Sequence, residues 1–361
     1  LMKIRDRYIA KTLLTYSLVV LLVWLGIYSF FNFLAELGDI GKKNYTIFKA
    51  LQYILFQMPQ VAYNQASPII LLGCVLGMGH LATTNQLLIF RISGISIMKI
   101  TWLTVKNALF FVFVLIIIGE VLAPISTSFS ENNRSIALGQ ESLSKNQESF
   151  WIRDGDNFIN ITNNINENFI SDITIIEVNL LNKINRIVKS SKASFKGNIL
   201  ELTDSKIYSI NDKSFFEGIS LKERNNYQKN VTFDQDLISS LEKKPKDLTT
   251  YSLLKQIQFL SGNKLKSGIF EVELYKRLVK PFTLIVMILM AMIFIFGSNR
   301  DTTLGRKIFF GAALALTFEL LSRVGGALAL SFDFNPLLSA ILPVMIIMII
   351  SITLLIRKSK S

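Results

Sequence analysis

Residues 13–35 read LLTYSLVVLLVWLGIYSFFNFLA and contain no charged side chain. A helix of that length, rising about 1.5 Å per residue, crosses a hydrocarbon core of roughly 30 Å. The segment before it carries Lys3, Arg5, Arg7 and Lys11. The apolar run lacks a small-x-small cleavage site, so it reads as a retained anchor rather than a removed signal peptide. A polar turn follows over Glu36 to Asn44, with Lys42 and Lys43.

Working outward, the same signal recurs. Ile47 to Leu81 is apolar but interrupted at Met58-Pro59 and Ser67-Pro68, which predicts an interfacial or tilted helix to about Tyr63 and a second span over Ala66 to Leu81. Gly73 and Gly77 in that span have the spacing that lets two helix backbones approach closely. The third span runs from Ile100 to Val121 and is read as closing at Glu120 and Pro124. Three more follow over Val279 to Phe296, Ile308 to Leu330 and Leu337 to Ile356.

The stretch between spans three and four is different. Short runs over 149–154, 157–162, 172–178, 185–190, 193–196, 199–203 and 206–210 alternate apolar and polar residues between Asn, Asp, Gly and Lys. This reads as strands joined by turns, in a sandwich or jelly roll. Leu237 to Gly262 then turns helical, with Tyr251, Leu254, Ile257 and Leu260 at helical spacing. The expected fold is an α-helical membrane protein with six transmembrane helices, three and three, and an inserted all-β, jelly-roll-like periplasmic domain. The expected domains are 1–125 with a cytoplasmic helix at about 83–93, 126–268, and 269–361.

Bulk composition agrees. Half of the 361 residues are apolar and 18% are charged, with a mean hydropathy of +0.41. A net charge of +13 would suggest nucleic acid in a soluble protein, but no basic, aromatic-studded domain stands apart from the spans. The charge instead sorts by topology. With six spans, Lys3 to Lys11, Arg91 with Lys99, Arg300 to Lys307, and Arg357 to Lys360 share one side. By the positive-inside rule that side is the cytoplasm, which puts both termini inside and the β domain outside.

Enzyme signatures are missing. The sequence has no GxxxxGK[ST] loop, no HExxH and no GxSxG. One histidine, His80, and one cysteine, Cys74, leave little for a metal site or a nucleophile. Three polar features stand out. Glu319 and Arg323, four apart on one face of the fifth span, are either a mutually neutralising pair or part of a polar cavity lining. Lys276, Arg277 and Lys280 cluster where the fourth span enters from the outer side, which Lys42, Lys43 and Arg134 share. Such a basic rim suits lipid phosphate, or else snorkelling anchors. Finally, the connector between spans two and three can form one short helix over Thr84 to Ile92. That helix would expose Asn85, Gln86 and Arg91, bury Leu87, Leu88 and Ile92, and stop near Gly94. It suits docking of a partner, or is a plain loop helix.

Several stretches resemble the LptF/LptG family of lipopolysaccharide export permeases. They are Asp6-Arg7-Tyr8-Ile9, Leu71-Leu72-Gly73 through Leu76-Gly77-Met78-Gly79, Ser93-Gly94, Gly119-Glu120 through Ala123-Pro124, and Trp151-Ile152-Arg153-Asp154-Gly155. The first and last favour the LptG branch. The resemblance covers essentially the whole chain. It implies the transmembrane half of an ABC transporter that extracts lipopolysaccharide from the inner membrane and passes it to a periplasmic β-jelly-roll bridge. The implied partners are an LptF-like permease, an LptB-like ATPase dimer, an LptC-like single-span protein and an LptA-like bridge. This chain would bind no cofactor itself, and ATP and Mg would sit on the partner ATPase. Asn85, Gln86, Leu87, Arg91 and Gly94 fall in the family's coupling helix, where Gln86 replaces the usual Glu. Asn32 and Gly38 fall where the family places lysines, and Arg134 matches a family arginine. A non-transporting membrane sensor or scaffold is the other function the architecture allows.

Overall fold

The computed structural model describes residues 4–139, 150–166, 169–179, 183–210, 219–241, 243–297, 304–332 and 334–360. Lys3, Ser149 and Arg300, used in the sequence reading, lie outside them. The chain forms two compact units. One comprises residues 1–40, 46–133 and 268–361, and the other residues 41–45 and 134–267.

The first unit is helical: α1 (Ile4–Glu36), α2 (Ile47–Asn64), α3 (Ala66–Thr83), α4 (Gln86–Ile92), α5 (Ile97–Ile117), a π-turn (Ile118–Leu122) leading into α6 (Ala123–Leu138, which belongs to this unit as far as Asn133), and later α9 (Gly268–Gly297), α10 (Leu304–Ser331) and α11 (Pro336–Lys360). Six of its helical stretches are long and apolar enough to cross a membrane: Asp6–Glu36, Ala66–Thr83, Ile97–Leu138, Gly268–Phe296, Gly305–Ser331 and Pro336–Ser359. The six expected spans are present. The third is longer than the sequence suggested, because Pro124 does not end it. Proline lacks an N–H and its ring crowds the preceding turn, and the wider π-turn just before it absorbs both defects, so the helix continues.

At the centre of this unit lies α3, which is apolar all round: 78% of the residues in its most apolar stretch are buried, against 6% for α1 and 17% for α10. The glycine spacing explains how α1 reaches it. A Cβ on Gly73 would fall 2.5 Å from Ser17 Oγ and 2.7 Å from Ser17 Cα, whereas one on Gly77 would meet Leu13 Cα at an ordinary 3.5 Å. Leu71, Val75, Met78, Leu284, Met287 and Ala291 fill the core between α3 and α9.

The second unit is one antiparallel sheet, β1 (Phe150–Asp154), β2 (Asn157–Asn166), β3 (Phe169–Val178), β4 (Ile184–Lys196), β5 (Ile199–Ile210) and β6 (Ile219–Asn230), paired in chain order. Two helices follow, α7 (Gln235–Leu241) and α8 (Thr250–Gly262). The expected jelly-roll-like domain takes the form of an up-and-down meander with a crease. The row Thr162, Asp172, Ser191, Asp204 and Asn225 is skipped in each ladder it crosses, without a change of register on either side. Asp172 and Asp204 adopt positive φ there (53° and 55°). Each strand thus carries one extra residue at the same level, and the buried positions shift phase: Val188 and Ser190 before the row in β4, Ala193 after it; Leu200 and Leu202 before it in β5, Ser205 and Ile207 after. Ser190 and Ser205, both buried, repair the gap by donating to the carbonyls of Thr203 (2.5 Å) and Arg224 (2.9 Å).

Ile159, Ile161, Ile173, Ile175 and Leu200 form the sheet's core, joined by Phe233 and Phe259. Each such side chain contributes about 1.5–3 kcal/mol when fully buried. The Trp151-x-x-Asp154-Gly155 motif is structural here. Buried Asp154 accepts from the backbone N–H of Thr232 (3.2 Å) and from its hydroxyl, and Gly155, at φ 60°, donates its N–H to Asn263 Oδ1 (2.7 Å). On α8 the buried side is Leu253, Gln256 and Phe259. Tyr251 and Leu254, two of the residues whose spacing marked the helix, are exposed, because the buried stripe lies round the helix from them.

Candidate functional site

The charged face of α9 is the densest polar feature of the helical unit. Glu273, Lys276, Arg277 and Lys280 recur at helical spacing on one side of an otherwise apolar helix. Their environments differ sharply. Arg277 is 8% exposed. Its Nε donates to Glu273 Oε1 (3.2 Å), and its Nη1 lies 3.7 Å from Glu120 Oε2. The other oxygen of Glu120 accepts the hydroxyl of Tyr63 (3.2 Å). Glu120 reaches this position from the π-turn, which carries an extra residue in the helical ladder and re-aims the side chains beyond it. Its neighbour Gly119 is bare, and the ring of Tyr63 occupies the space a side chain would take.

Lys280 donates to the terminal carbonyl of α2, Asn64 O (3.1 Å), and its Nζ stands 5.4 Å from the centre of the Tyr63 ring. The stem of Lys276 crosses α10 at Gly326, where a Cβ would fall 2.9 Å from its Nζ. Arg323 donates to Glu319 Oε1 at 3.1 Å one turn away on α10, with the arginine exposed and the glutamate half-buried. Of the residues singled out from the sequence, the helical unit therefore brings together Lys276, Arg277 and Lys280, and Glu319 acts electrostatically on Lys280.

Lys42, Lys43 and Arg134 belong to the other unit and form their own group around Tyr45, which is buried. The Arg134 guanidinium sits 5.8 Å from the Tyr45 ring centre. Lys43, at φ 48°, lies along Gly139 and donates to its carbonyl (3.1 Å). Lys42 is exposed, and its carbonyl accepts the Tyr45 N–H (3.0 Å).

The connector forms α4 between Asn85, at φ 61°, and Gly94, at φ 82°. Leu87 is buried, as expected. Leu88 and Ile92 are not: they are 44% and 77% exposed, beside Ile89 at 62% and the exposed Arg91. Seven residues make too short a helix to turn all its apolar side chains inward, so one apolar side is left open. The amide oxygen of Gln86 is shielded from solvent and accepts no hydrogen bond.

Sequence reasoning did not find Tyr63, Glu120 and Glu273 as members of this site. Glu273 was detectable as an i,i+4 partner of Arg277. Glu120 was visible as a charge inside an apolar segment, a recognised functional signal, but was read as a span terminus. Tyr63 gave no signal.

The fold and this charged face define a multi-pass membrane protein with an inserted all-β domain and a polar cluster built on its fourth span. Comparison with known proteins gives the family. The model of the lipopolysaccharide export system permease LptF/LptG matches residues 7–357, and the chain belongs to that family. It is 27% identical over 359 residues to the lipopolysaccharide export system permease protein LptG of Escherichia coli strain K12, covering 98% of each chain. It is 24% identical over 354 residues to the LptG protein of Haemophilus influenzae, again covering 98% of each.

Proposed function

We propose that this chain is the permease subunit of an ABC transporter that extracts lipopolysaccharide from the Gram-negative inner membrane and hands it to a periplasmic β-jelly-roll bridge leading to the outer membrane. The observation that carries this reading is the family match along residues 7–357, collinear with the three-plus-three plan. An LptF-like permease completes the membrane part, an LptB-like ATPase dimer binds ATP and Mg, and LptC-like and LptA-like proteins receive the lipid. The basic segments at both ends face the cytoplasm and the sheet faces the periplasm, as the charge distribution favours.

In this reading α4 is the coupling helix. Asn85, Gln86, Leu87, Arg91 and Gly94 shape it, and Leu88, Ile89 and Ile92 offer an apolar surface to the ATPase. Lys276 and Lys280 on the helical unit offer cations to lipid A phosphates, and Lys42, Lys43 and Arg134 on the periplasmic unit form a separate group of cations that offers the same chemistry. Glu319 and Arg323 add a polar patch on α10. The open apolar sides of α1 and α10, which include Leu22, Phe30, Leu316 and Leu320, suit acyl chains. Purification of the chain with its co-expressed neighbours tests the reading. An ATPase copurifies, and depletion of the chain stops lipopolysaccharide from reaching the outer membrane. Absence of the ATPase together with normal lipopolysaccharide transport would leave the sensor or scaffold reading in its place.

A further inference from the structure

We propose that Glu120 is a positioning residue. Acting through Arg277, and braced by Tyr63 and Glu273, it fixes the rotation of α9 so that Lys276 and Lys280 present their ammonium groups to an anionic ligand. This inference rests on the phosphate role proposed above for the two lysines, and it removes Arg277 from the direct ligand set.

The argument begins with burial. Arg277 is one of the few charged side chains hidden inside the helical unit, and the carboxylates of Glu120 and Glu273 both stand within ion-pair distance of it. A buried cation flanked by two carboxylates is already neutralised by the protein, and loss of either carboxylate leaves a costly charge in a low-dielectric setting. Lys276 differs. Among the described residues no carboxylate lies within ion-pair distance of it. It stands one turn from Lys280, and the two like charges repel. An anion between them relieves that repulsion.

Geometry links the two groups. Successive residues of a helix point about 100° apart, so the direction of Arg277 sets the direction of Lys276. The Arg277 side is anchored outside α9 by Glu120, whose two oxygens serve two helices: one takes the Tyr63 hydroxyl from α2, the other faces Arg277. Tyr63 cannot drift, because its ring is packed against the bare backbone of Gly119. Lys280, on the same α9 face, donates to the last carbonyl of α2. The π-turn, α2 and α9 thus converge on one ion-pair cluster, and Lys276, whose Nζ lies against Gly326 of α10, is left outside its carboxylate pairing.

The test uses the full chain with the subunits that copurify with it. It measures the half-saturating concentration of rough lipopolysaccharide with bisphosphorylated lipid A, with dephosphorylated lipid A as the comparison ligand. K276Q/K280Q raises half-saturation about tenfold. E120Q, which keeps the side-chain volume, raises it several-fold. The triple variant is no weaker than K276Q/K280Q, and no variant differs from the parent with the dephosphorylated ligand. If K276Q/K280Q binds like the parent, the phosphate reading fails and the positioning role fails with it. If the lysine pair matters but E120Q adds its full effect on top, or only lowers thermal stability with half-saturation unchanged, Glu120 is a structural strut. That result overturns the proposal and leaves the phosphate reading standing. Should E120Q fail to accumulate in folded form, Tyr63→Phe carries the same comparison, since it keeps the ring over Gly119 and removes only the hydroxyl.

Discussion

Tyr63 and Gly119 share space that a single methyl group would need: a Cβ built on Gly119 falls 2.0 Å from Cδ2 of the Tyr63 ring. Gly119→Ala therefore forces the ring away and separates its hydroxyl from Glu120. Overpacking of this kind costs about 1–3 kcal/mol, and the midpoint of thermal unfolding in detergent should fall accordingly. Combined with Tyr63→Ala, the same substitution should cost much less than the sum of the two, because the clash has gone. Additive losses would mean that Gly119 is constrained by something other than this ring.

The two glycines of α3 should behave differently although both fit one motif. Gly73→Ala puts a carbon 2.7 Å from the Cα of Ser17, a backbone atom that cannot swing aside. Helices α1 and α3 must separate, and thermal stability should drop by about 1–3 kcal/mol. At Gly77 the nearest atom is 3.5 Å away, so Gly77→Ala should be close to neutral. Equal effects at the two positions would contradict this helix crossing.

The contrast between Gly73 and Gly77 shows where the sequence stopped informing. The six spans, the inserted sheet and the close approach of α3 to a neighbour all follow from local pattern, because hydropathy, alternation and glycine spacing are properties of one segment at a time. Strand lengths do not. The sequence reading broke β4 and β5 at Ser191 and Asp204, where alternation slips by one residue, and a slip in one strand looks like an end. Only the shared row across the sheet shows that it is a crease. Strand β6 was overlooked because Lys222, Glu223, Arg224 and Asn225 carry no apolar alternation. As an exposed edge strand it has one neighbour, and charge there discourages pairing with stray chains. The ion-pair cluster was half visible. Arg277 and the lysines stand out in an apolar helix, but their division into a cation paired with carboxylates and two that are not depends on Glu120, about 150 residues earlier in the chain, and on a π-turn that no local pattern announces.

Asp234 and Lys255 give the sheet unit a readable pH dependence. Partial burial pushes the Asp234 carboxyl up, but the hydrogen bonds from the Lys255 ammonium and the Leu237 N–H outweigh it and hold the group below the usual carboxylate range. Burial likewise pulls Lys255 down, and Asp234 more than reverses it, leaving the ammonium above its usual value. The depressed acid contributes stability that is present above the ordinary carboxylate pKa and is lost as pH falls through its folded value. The raised base contributes stability that is present below the ordinary lysine pKa and is lost as pH rises through its folded value. Both are therefore in force from about pH 4 to pH 10. With a third of each side chain exposed, screening limits the pair to about 0.5–1 kcal/mol. Asp234→Asn should speed amide hydrogen exchange in α8 at pH 7, by a margin that shrinks as pH falls below the ordinary carboxylate range. A margin that does not change with pH would assign the effect to lost hydrogen bonding rather than charge.

The open side of α4 leads to the last prediction. Ile92 is 77% exposed and Ile89 62% exposed, on a helix held in place by buried Leu87 and terminated by Gly94 at positive φ. A charge at such an exposed position changes the stability of the chain itself by no more than about 0.5 kcal/mol. Ile92→Asp should therefore insert and fold like the parent. If the ATPase docks on this surface, a desolvated carboxylate at the interface should reduce its copurification at least several-fold. Arg91→Glu, on the same helix, should do so through charge alone, and its effect should depend on salt where that of Ile92→Asp does not. Two variants that retain the ATPase at the parental level, with export unimpaired, would remove α4 from the coupling path and leave its apolar side without a partner.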